Sequence, residues 1–387
     1  MAAAPVIGLV AGEVSGDWLG AHLVEALKAR RPHLQFAGIA GPRMIAAGVH
    51  ALYPMEKLAV SGYVEVLPRV LELLNIRRKL TRHFLQTPPQ VFIGIDAPDF
   101  NLRLELNLRR AGITTIHYPS PSIWAWRGER IHFIRRAVDR MLVNYPFETA
   151  IYEQAGVPST FVGHPLADML AEYPAQAAVR AALGLSGDAP VIALLPGSRV
   201  SELQAMAGLF VATARRIAAA LPHARFVAPL VNQKTRALFE AAIESTARSE
   251  PALPIQLLDG QSDAAIAAAD VVLCKSGTAT LQSALLQRPM VITYRVSRLT
   301  AWLMQRSALI PYVGLPNILA GEFVVPEFLQ DAATPEALSG AVIDLLNDAP
   351  RRARITERFA RLRLELRQNT AQKAADAVMP YLATAAS

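Results

Sequence analysis

The chain has 387 residues, 52% hydrophobic and 18% charged, and a formal net charge of +7. That length accommodates two domains, each with a sizeable core. Mean hydropathy is positive, yet no window of about eighteen residues is both apolar throughout and free of charge, so no membrane-spanning helix is expected. A single cysteine, Cys274, leaves no intramolecular disulfide and fits a reducing compartment. The basic excess lies in the first half and in the tail. A solvated surface accounts for it, as does attraction to anionic lipid or to an anionic substrate. The aromatic residues do not interleave with the basic runs, so no nucleic acid is expected as a partner.

The N-terminal apolar run lacks the basic start and cleavage pattern of a secretory signal and reads as a first strand. Strands are expected at Val6–Ala11, Gln35–Ile39, Val91–Ile95, Thr114–Tyr118 and Arg140–Val143. The second half adds Val191–Leu195, Arg225–Pro229, Ile255–Leu258, Val271–Leu273 and Met290–Thr293. Most are short, rich in Val and Ile, and bounded by Gly, Pro or Asp. Helical stretches such as Gly20–Arg30 and Ala207–Leu221 separate them. The alternation predicts parallel sheets with helices on both faces. Ala167–Ala175 reads as a linker between a domain of residues 1–170 and one of residues 171–350. From Arg351 the tail, 351–387, is helical. Its Ile355, Phe359, Leu362 and Leu366 recur at helical spacing, a docking face with a homodimer contact as a second use.

Two stretches share one design: an apolar strand, a Gly/Ser turn, then a helix whose N-terminal N–H groups suit an anion. In the first, Gly12-Glu13-Val14-Ser15-Gly16-Asp17 replaces the glycine-rich dinucleotide fingerprint. A carboxylate there repels a pyrophosphate but can accept from sugar hydroxyls. Ser15 and Asp17 suit helix capping, whereas Glu13 precedes the helix. The second, Gly197-Ser198-Arg199 with Glu202, is the strongest anion signal, because a guanidinium forks onto phosphate oxygens. Ser276-Gly277-Thr278 is a second phosphate candidate, with Gln282 four residues on. Asp96, after an apolar strand, stands where ligands of open α/β sheets collect, and is placed to act as a general base. Asp99 is a helix cap. Trp124 and Trp126 lie in a proline-containing loop suited to sugars, to acyl chains or to plain packing. The eight histidines are scattered, His164 reads as a turn or hinge residue, and no metal or cofactor is expected.

The motifs Ala11-Gly-Glu-x-Ser-Gly-Asp17, Gly41-Pro-Arg-Met44, Gly94-Ile-Asp-Ala-Pro-Asp-Phe100 and Ser120-Pro-Ser-Ile-Trp-Ala-Trp-Arg127 follow one another in order. Leu195-Pro-Gly-Ser-Arg199, Ser276-Gly-Thr-Ala279 and Leu315-Pro-Asn317 complete the series. Over nearly its whole length the chain resembles the lipid-A-disaccharide synthase family of inverting glycosyltransferases. The resemblance implies a GT-B fold: two Rossmann-like domains facing a cleft, with a C-terminal helix crossing back to the first. It implies a UDP-2,3-diacylglucosamine donor and a 2,3-diacylglucosamine 1-phosphate acceptor. It makes Asp96, Glu13, Arg199 and Asn317 the catalytic set. Gly12, Ser15, Gly16, Trp124, Trp126, Gly197, Ser198, Glu202, Gly260, Ser276, Gly277, Thr278 and Gln282 become substrate-binding residues. Many members of that family have glutamate where this chain has Gln282, and an amide accepts more weakly from ribose. Acylated substrates imply a cytoplasmic enzyme, peripheral at the inner face of the inner membrane. The segment Val64–Leu85, with Val64, Leu67, Leu71 and Leu74 beside Arg77, Arg78, Lys79 and Arg82, is the expected lipid contact. The rival readings are another GT-B enzyme on UDP-sugars, such as a UDP-N-acetylglucosamine epimerase, and a two-domain ligand-binding protein without catalysis.

Overall fold

The computed structural model describes residues 6–58, 66–185, 187–247, 252–297, 300–301 and 309–382. The chain divides into two compact units, Met1–Asp168 with Leu366–Ser387, and Met169–Glu365.

The first unit is built on seven parallel strands: β1 (Val6–Ala11), β2 (Gln35–Ala40), β3 (Val49–Pro54), β4 (Val91–Ile95), β5 (Thr114–Tyr118), β6 (Arg140–Val143) and β7 (Ser159–Phe161). Their order is β3-β2-β1-β4-β5-β6-β7. The second unit carries β8 (Val191–Leu195), β9 (Arg225–Leu230), β10 (Ile255–Asp259), β11 (Val271–Lys275), β12 (Met290–Tyr294) and β13 (Glu327–Leu329), in the order β10-β9-β8-β11-β12-β13. Both are doubly wound, as the alternating pattern requires.

Burial explains which strands were legible. Ile7, Leu9, Val10 and Ala11 have no exposed surface, because helices cover both faces of β1. On one face the helix Val14–Arg30 contributes Leu19, Leu23, Val24 and Leu27. On the other, the helix Val66–Gln86 contributes Ile76, Leu80 and Phe84, and the helix Pro98–Arg110 contributes Leu104 and Leu108. The expected strands are all present. The unexpected ones, β3, β7 and β13, are edge strands. They are half-exposed and carry no continuous Val/Ile run, and β7 and β13 have only three residues each. The helix after β1 starts at Val14 rather than Gly20, with Gly16 and Gly20 buried inside it.

The C-terminal segment is shared between the units. In the helix Ala349–Leu366, Ile355, Phe359 and Leu362 are buried, as the stripe predicts. The chain re-enters the first unit at Leu366. There the helix Thr370–Val378 places Ala374, Ala375 and Val378 in the core beside the helix Val14–Arg30. Arg30 clamps it, donating to Asp376 Oδ1 at 2.6 Å and to Gln372 Oε1 at 2.6 Å. Asp168 caps it, accepting from the N–H groups of Asn369 at 3.0 Å and Thr370 at 2.7 Å.

Asp17 also caps a helix, though not its own. Its buried carboxylate accepts from Gly41, Arg43 and Met44 N–H groups, each at 3.0 Å, and so holds the short helix Pro42–Ala46. Asp17→Ala leaves those donors without their acceptor. We expect a loss of about 2–4 kcal/mol, read from the urea midpoint. An unchanged midpoint would show that water replaces the carboxylate.

Candidate active site

Strands β1 and β4 are neighbours, with Ala11 paired to Ile95, so the turns that follow them emerge side by side. They touch. A Cβ on Gly12 would lie 2.6 Å from the Ala97 Cβ, so only glycine fits between the turns. Ser15 Oγ donates to Asp96 Oδ2 at 3.0 Å, while Asp96 Oδ1 accepts from the Ala97 N–H at 3.0 Å. Ser15 is therefore not a helix cap but a partner of Asp96. Glu13 is the N-cap residue of the helix Val14–Arg30 and is exposed at the same turn. Gly16 lies below, with Asp96 Cβ and Ile95 O each 3.4 Å from where its Cβ would be.

Asp96 and Ala97 both occupy the left-handed region, with φ of 55° and 43°. Such backbone is costly for residues with a side chain and persists only where surroundings impose it. Asn101 imposes it. Buried completely, its Nδ2 donates to Asp96 O at 2.8 Å and to Val10 O at 3.1 Å. Behind it, Glu105 and His117 form a buried pair at 2.8 Å, and burial pushes the Glu105 carboxyl up. Asp99 is exposed and pairs with Arg130 instead of capping.

The tryptophan loop is anchored from beneath. Trp124 Nε1 donates to Glu148 Oε1 at 3.1 Å, and its ring meets Phe147 edge-on at 5.4 Å. Glu148 Oε2 accepts from the Tyr145 N–H at 2.9 Å and from the Asn144 N–H at 3.2 Å. Burial pushes the Glu148 carboxyl up to about 7, against those donors. Trp126 stands free of this anchor, 46% exposed, with the Arg127 guanidinium 4.3 Å over its ring. His164 is half-buried, accepts from the Leu166 N–H and stacks on Tyr145; desolvation takes it down to about 4.

In the second unit β8 and β11 are the corresponding neighbours, with Leu195 paired to Cys274. The turn Gly197–Arg199 and the turn Ser276–Thr278 therefore adjoin. Glu202, in the first turn of the helix Val200–Ala220, folds its side chain back onto the Gly197–Arg199 turn. Its Oε2 accepts from the Ser198 N–H at 2.9 Å and the Arg199 N–H at 3.3 Å. Lys275, which the motif reading passed over, reaches Glu202 Oε1 at 3.0 Å. Burial opposes ionisation of Glu202, but the Ser198 N–H and Lys275 outweigh it and hold the carboxyl below its usual range. The Arg199 side chain is 79% exposed.

Ser276 Oγ donates to Val313 O at 2.8 Å, while Gly277 and Thr278 are exposed. Gln282 Nε2 donates to Asp263 Oδ1 at 3.0 Å, and burial raises the Asp263 carboxyl against that bond. Gly260 turns the chain after β10 with φ of 67°. Asn317 has no exposed surface, and its amide is spent on Val325 and on Glu327 Oε1 at 2.8 Å. Glu327 in turn fixes the N–H groups of Val313 and Gly314, so Asn317 braces this loop and presents nothing to solvent. Among the described residues no cluster of His, Cys, Asp or Glu is placed to hold a metal ion.

A model of the lipid-A-disaccharide synthetase family matches residues 7–380. The chain is 55% identical to the lipid-A-disaccharide synthase of Thiobacillus denitrificans, over 97% of this chain and 100% of the relative. It is 52% identical to that of Dechloromonas aromatica, over 99% and 100%. Among solved structures, MurG of Acinetobacter baumannii superposes with a TM-score of 0.60 at 17% identity, covering 97% of this chain and 99% of that one. A UDP-GlcNAc 2-epimerase from Neisseria meningitidis, bound to UDP-GlcNAc, gives 0.58 at 12% identity, covering 97% and 98%. At these identities the likeness establishes the fold: two Rossmann-like α/β domains of GT-B type.

The Glu148 anchor should register in a pH series. Its carboxyl is raised from the ordinary 4.5 to about 7, so its contribution to stability is complete below 4.5 and is lost as pH rises through 7. Glu148→Gln does not titrate. Measured by urea unfolding, the parent should lose on the order of 3 kcal/mol relative to this variant across that window. Parallel pH profiles would contradict the buried, raised carboxyl.

Proposed function

The chain belongs to the lipid-A-disaccharide synthase family, and from that premise we propose that Asp96 deprotonates the acceptor while the Gly197–Arg199 and Ser276–Thr278 turns hold the donor's diphosphate. The enzyme is a glycosyltransferase of lipid A biosynthesis. It joins UDP-2,3-diacylglucosamine to 2,3-diacylglucosamine 1-phosphate, giving the β-1,6 disaccharide 1-phosphate and UDP. In an inverting displacement the acceptor hydroxyl oxygen bonds to the anomeric carbon as the bond to the diphosphate breaks. The hydroxyl proton goes to the base, and the electron pair leaves with UDP.

The observation that supports the assignment is the Ser15–Asp96 hydrogen bond. It draws together two motifs far apart in sequence and fixes one carboxylate oxygen at the end of the central strands, where it still has lone pairs to offer. Glu13, exposed at the same turn, is the rival base. Negative charge growing on UDP is met by Arg199 and by backbone donors at helix N-termini. Trp126 offers an exposed ring to sugar or acyl chain.

The acceptor's acyl chains suggest peripheral contact with a bilayer, in the cytoplasm at the inner face of the inner membrane. Among the described residues no helix is long and apolar enough to cross a membrane. Val64 and the Leu67 side chain lie outside the described residues. On the helix Val66–Gln86, Leu71 is 67% exposed, with Arg78, Lys79 and Arg82 also exposed, whereas Arg77 is half-buried over the Phe100 ring. The apolar stripe of the tail is used within the chain, so a homodimer would need another face.

Asp96→Asn keeps the shape and removes the base. Turnover should fall by about 10²–10⁴-fold with UDP affinity unchanged; near-normal turnover moves the role to Glu13. Replacing Arg78, Lys79 and Arg82 together with glutamate should release the protein from anionic vesicles sedimented at low salt. Undiminished sedimentation would place the contact elsewhere, with the basic tail next to be tested.

A further inference from the structure

Where β8 and β11 end, donors of the first turn and the last residue of β11 converge on one carboxylate. Glu202 Oε2 takes the Ser198 and Arg199 N–H groups at 2.9 and 3.3 Å. Glu202 Oε1 takes Arg199 Nη1 at 3.3 Å and Lys275 Nζ at 3.0 Å. The carboxylate also fills the hollow of the turn: a Cβ on Gly197 would lie 2.7 Å from Glu202 Oε2. Backbone N–H groups at a helix start, a guanidinium and an ammonium are the donor set that a diphosphate seeks. Glu202 therefore stands in an anion's seat.

The charges do not cancel. Arg199 and Lys275 share one carboxylate, so the corner is left with net positive charge. The two cations also differ in setting. Arg199 extends into solvent at 79% exposure, whereas the Lys275 side chain is only 13% exposed and lies 4.8 Å over the Tyr294 ring. A cation this enclosed needs an anion near it at all times. Lys275 directly precedes Ser276-Gly277-Thr278, so its stem starts at the mouth of the second turn.

We propose that Lys275 is a diphosphate-binding residue of the donor site, kept in place by Glu202 until the donor's diphosphate takes Lys275 and Arg199 over from that carboxylate. This rests on the reading of the two turns as the donor's seat. It adds a charged residue that the motifs do not contain, and it gives Glu202 the role of an internal counter-ion that the ligand displaces.

The test is calorimetry on the whole protein with UDP and with uridine, which has the same base and ribose without phosphate. Lys275→Gln should weaken UDP binding by about tenfold or more and leave uridine binding unchanged, as for the loss of one charge-assisted contact. Lys275→Arg should restore most of the UDP affinity. Glu202→Gln should bind UDP as tightly as the parent or more tightly, since the competing charge is gone. UDP binding unaltered in Lys275→Gln overturns the proposal. So does an equal loss of uridine binding, which places the effect in the fold. Weakened UDP binding by Glu202→Gln overturns the displacement. A parent protein that binds uridine but gains nothing from the diphosphate overturns the donor reading itself, whatever the variants do.

Discussion

In each sheet the strand order reverses between two adjacent parallel strands, β1 and β4 in one unit, β8 and β11 in the other. Right-handed crossovers send the chain from such a pair to opposite faces, so no connection covers the gap between their carboxyl ends. That topological requirement creates an open place at the centre of each sheet, lined by two turns and the starts of two helices. The turns with Glu13 and Asp96 fall at the first of these places, and the turns Gly197–Arg199 and Ser276–Thr278 at the second. The rest of each unit holds the central strands in register, Ala11 beside Ile95 and Leu195 beside Cys274, so that the turns meet.

What the turns carry differs between the units. The first bears the carboxylates of Glu13 and Asp96, the chemistry suited to taking a hydroxyl proton. The second bears Arg199 and Lys275 with backbone donors, suited to a leaving anion. Because the scaffolds share one topology, the division of chemistry comes from turn residues alone. Polar groups behind the turns supply the rigidity. Asn101 imposes the Asp96 backbone, and Glu148 anchors Trp124. Glu327 ties Val313 and Gly314 to Asn317. Burying such groups is costly, and hydrogen bonds to the backbone offset that cost.

The strands buried on both faces were legible because a parallel strand covered by helices must be apolar throughout. Three of the four edge strands escaped for the converse reason: β3, with a half-exposed face and a terminal proline, satisfies no strong pattern. The candidate site residues stand out by type, since Gly-Ser-Arg and Gly-x-Asp announce their chemistry locally. Their partners were not. Asp17 looks like a cap of its own helix, yet it serves Gly41, Arg43 and Met44. Asn317 looks like a site residue, yet its amide is consumed inside the fold. Lys275 stands outside every motif, and only the pairing of β11 with β8 brings it to Glu202. A hydrogen bond across a sheet has no signature in the segment that donates it.

Gln282 shows how such a partner changes the meaning of a residue. Read alone, an amide at a ribose is a weaker acceptor than a carboxylate. In the fold its Nε2 donates to Asp263 Oδ1 at 3.0 Å, which leaves the amide oxygen as the acceptor that faces away from Asp263. A glutamate there would set two carboxylates within hydrogen-bond distance of each other in a half-buried corner. They could not both ionise, and one would have to hold its proton. Burial already raises the Asp263 carboxyl, and only the Gln282 bond opposes it. The amide thus fixes this corner's single negative charge on the helix after β10 instead of the helix after β11. The substitution and its partner form one electrostatic unit, and neither residue has a fixed role without the other.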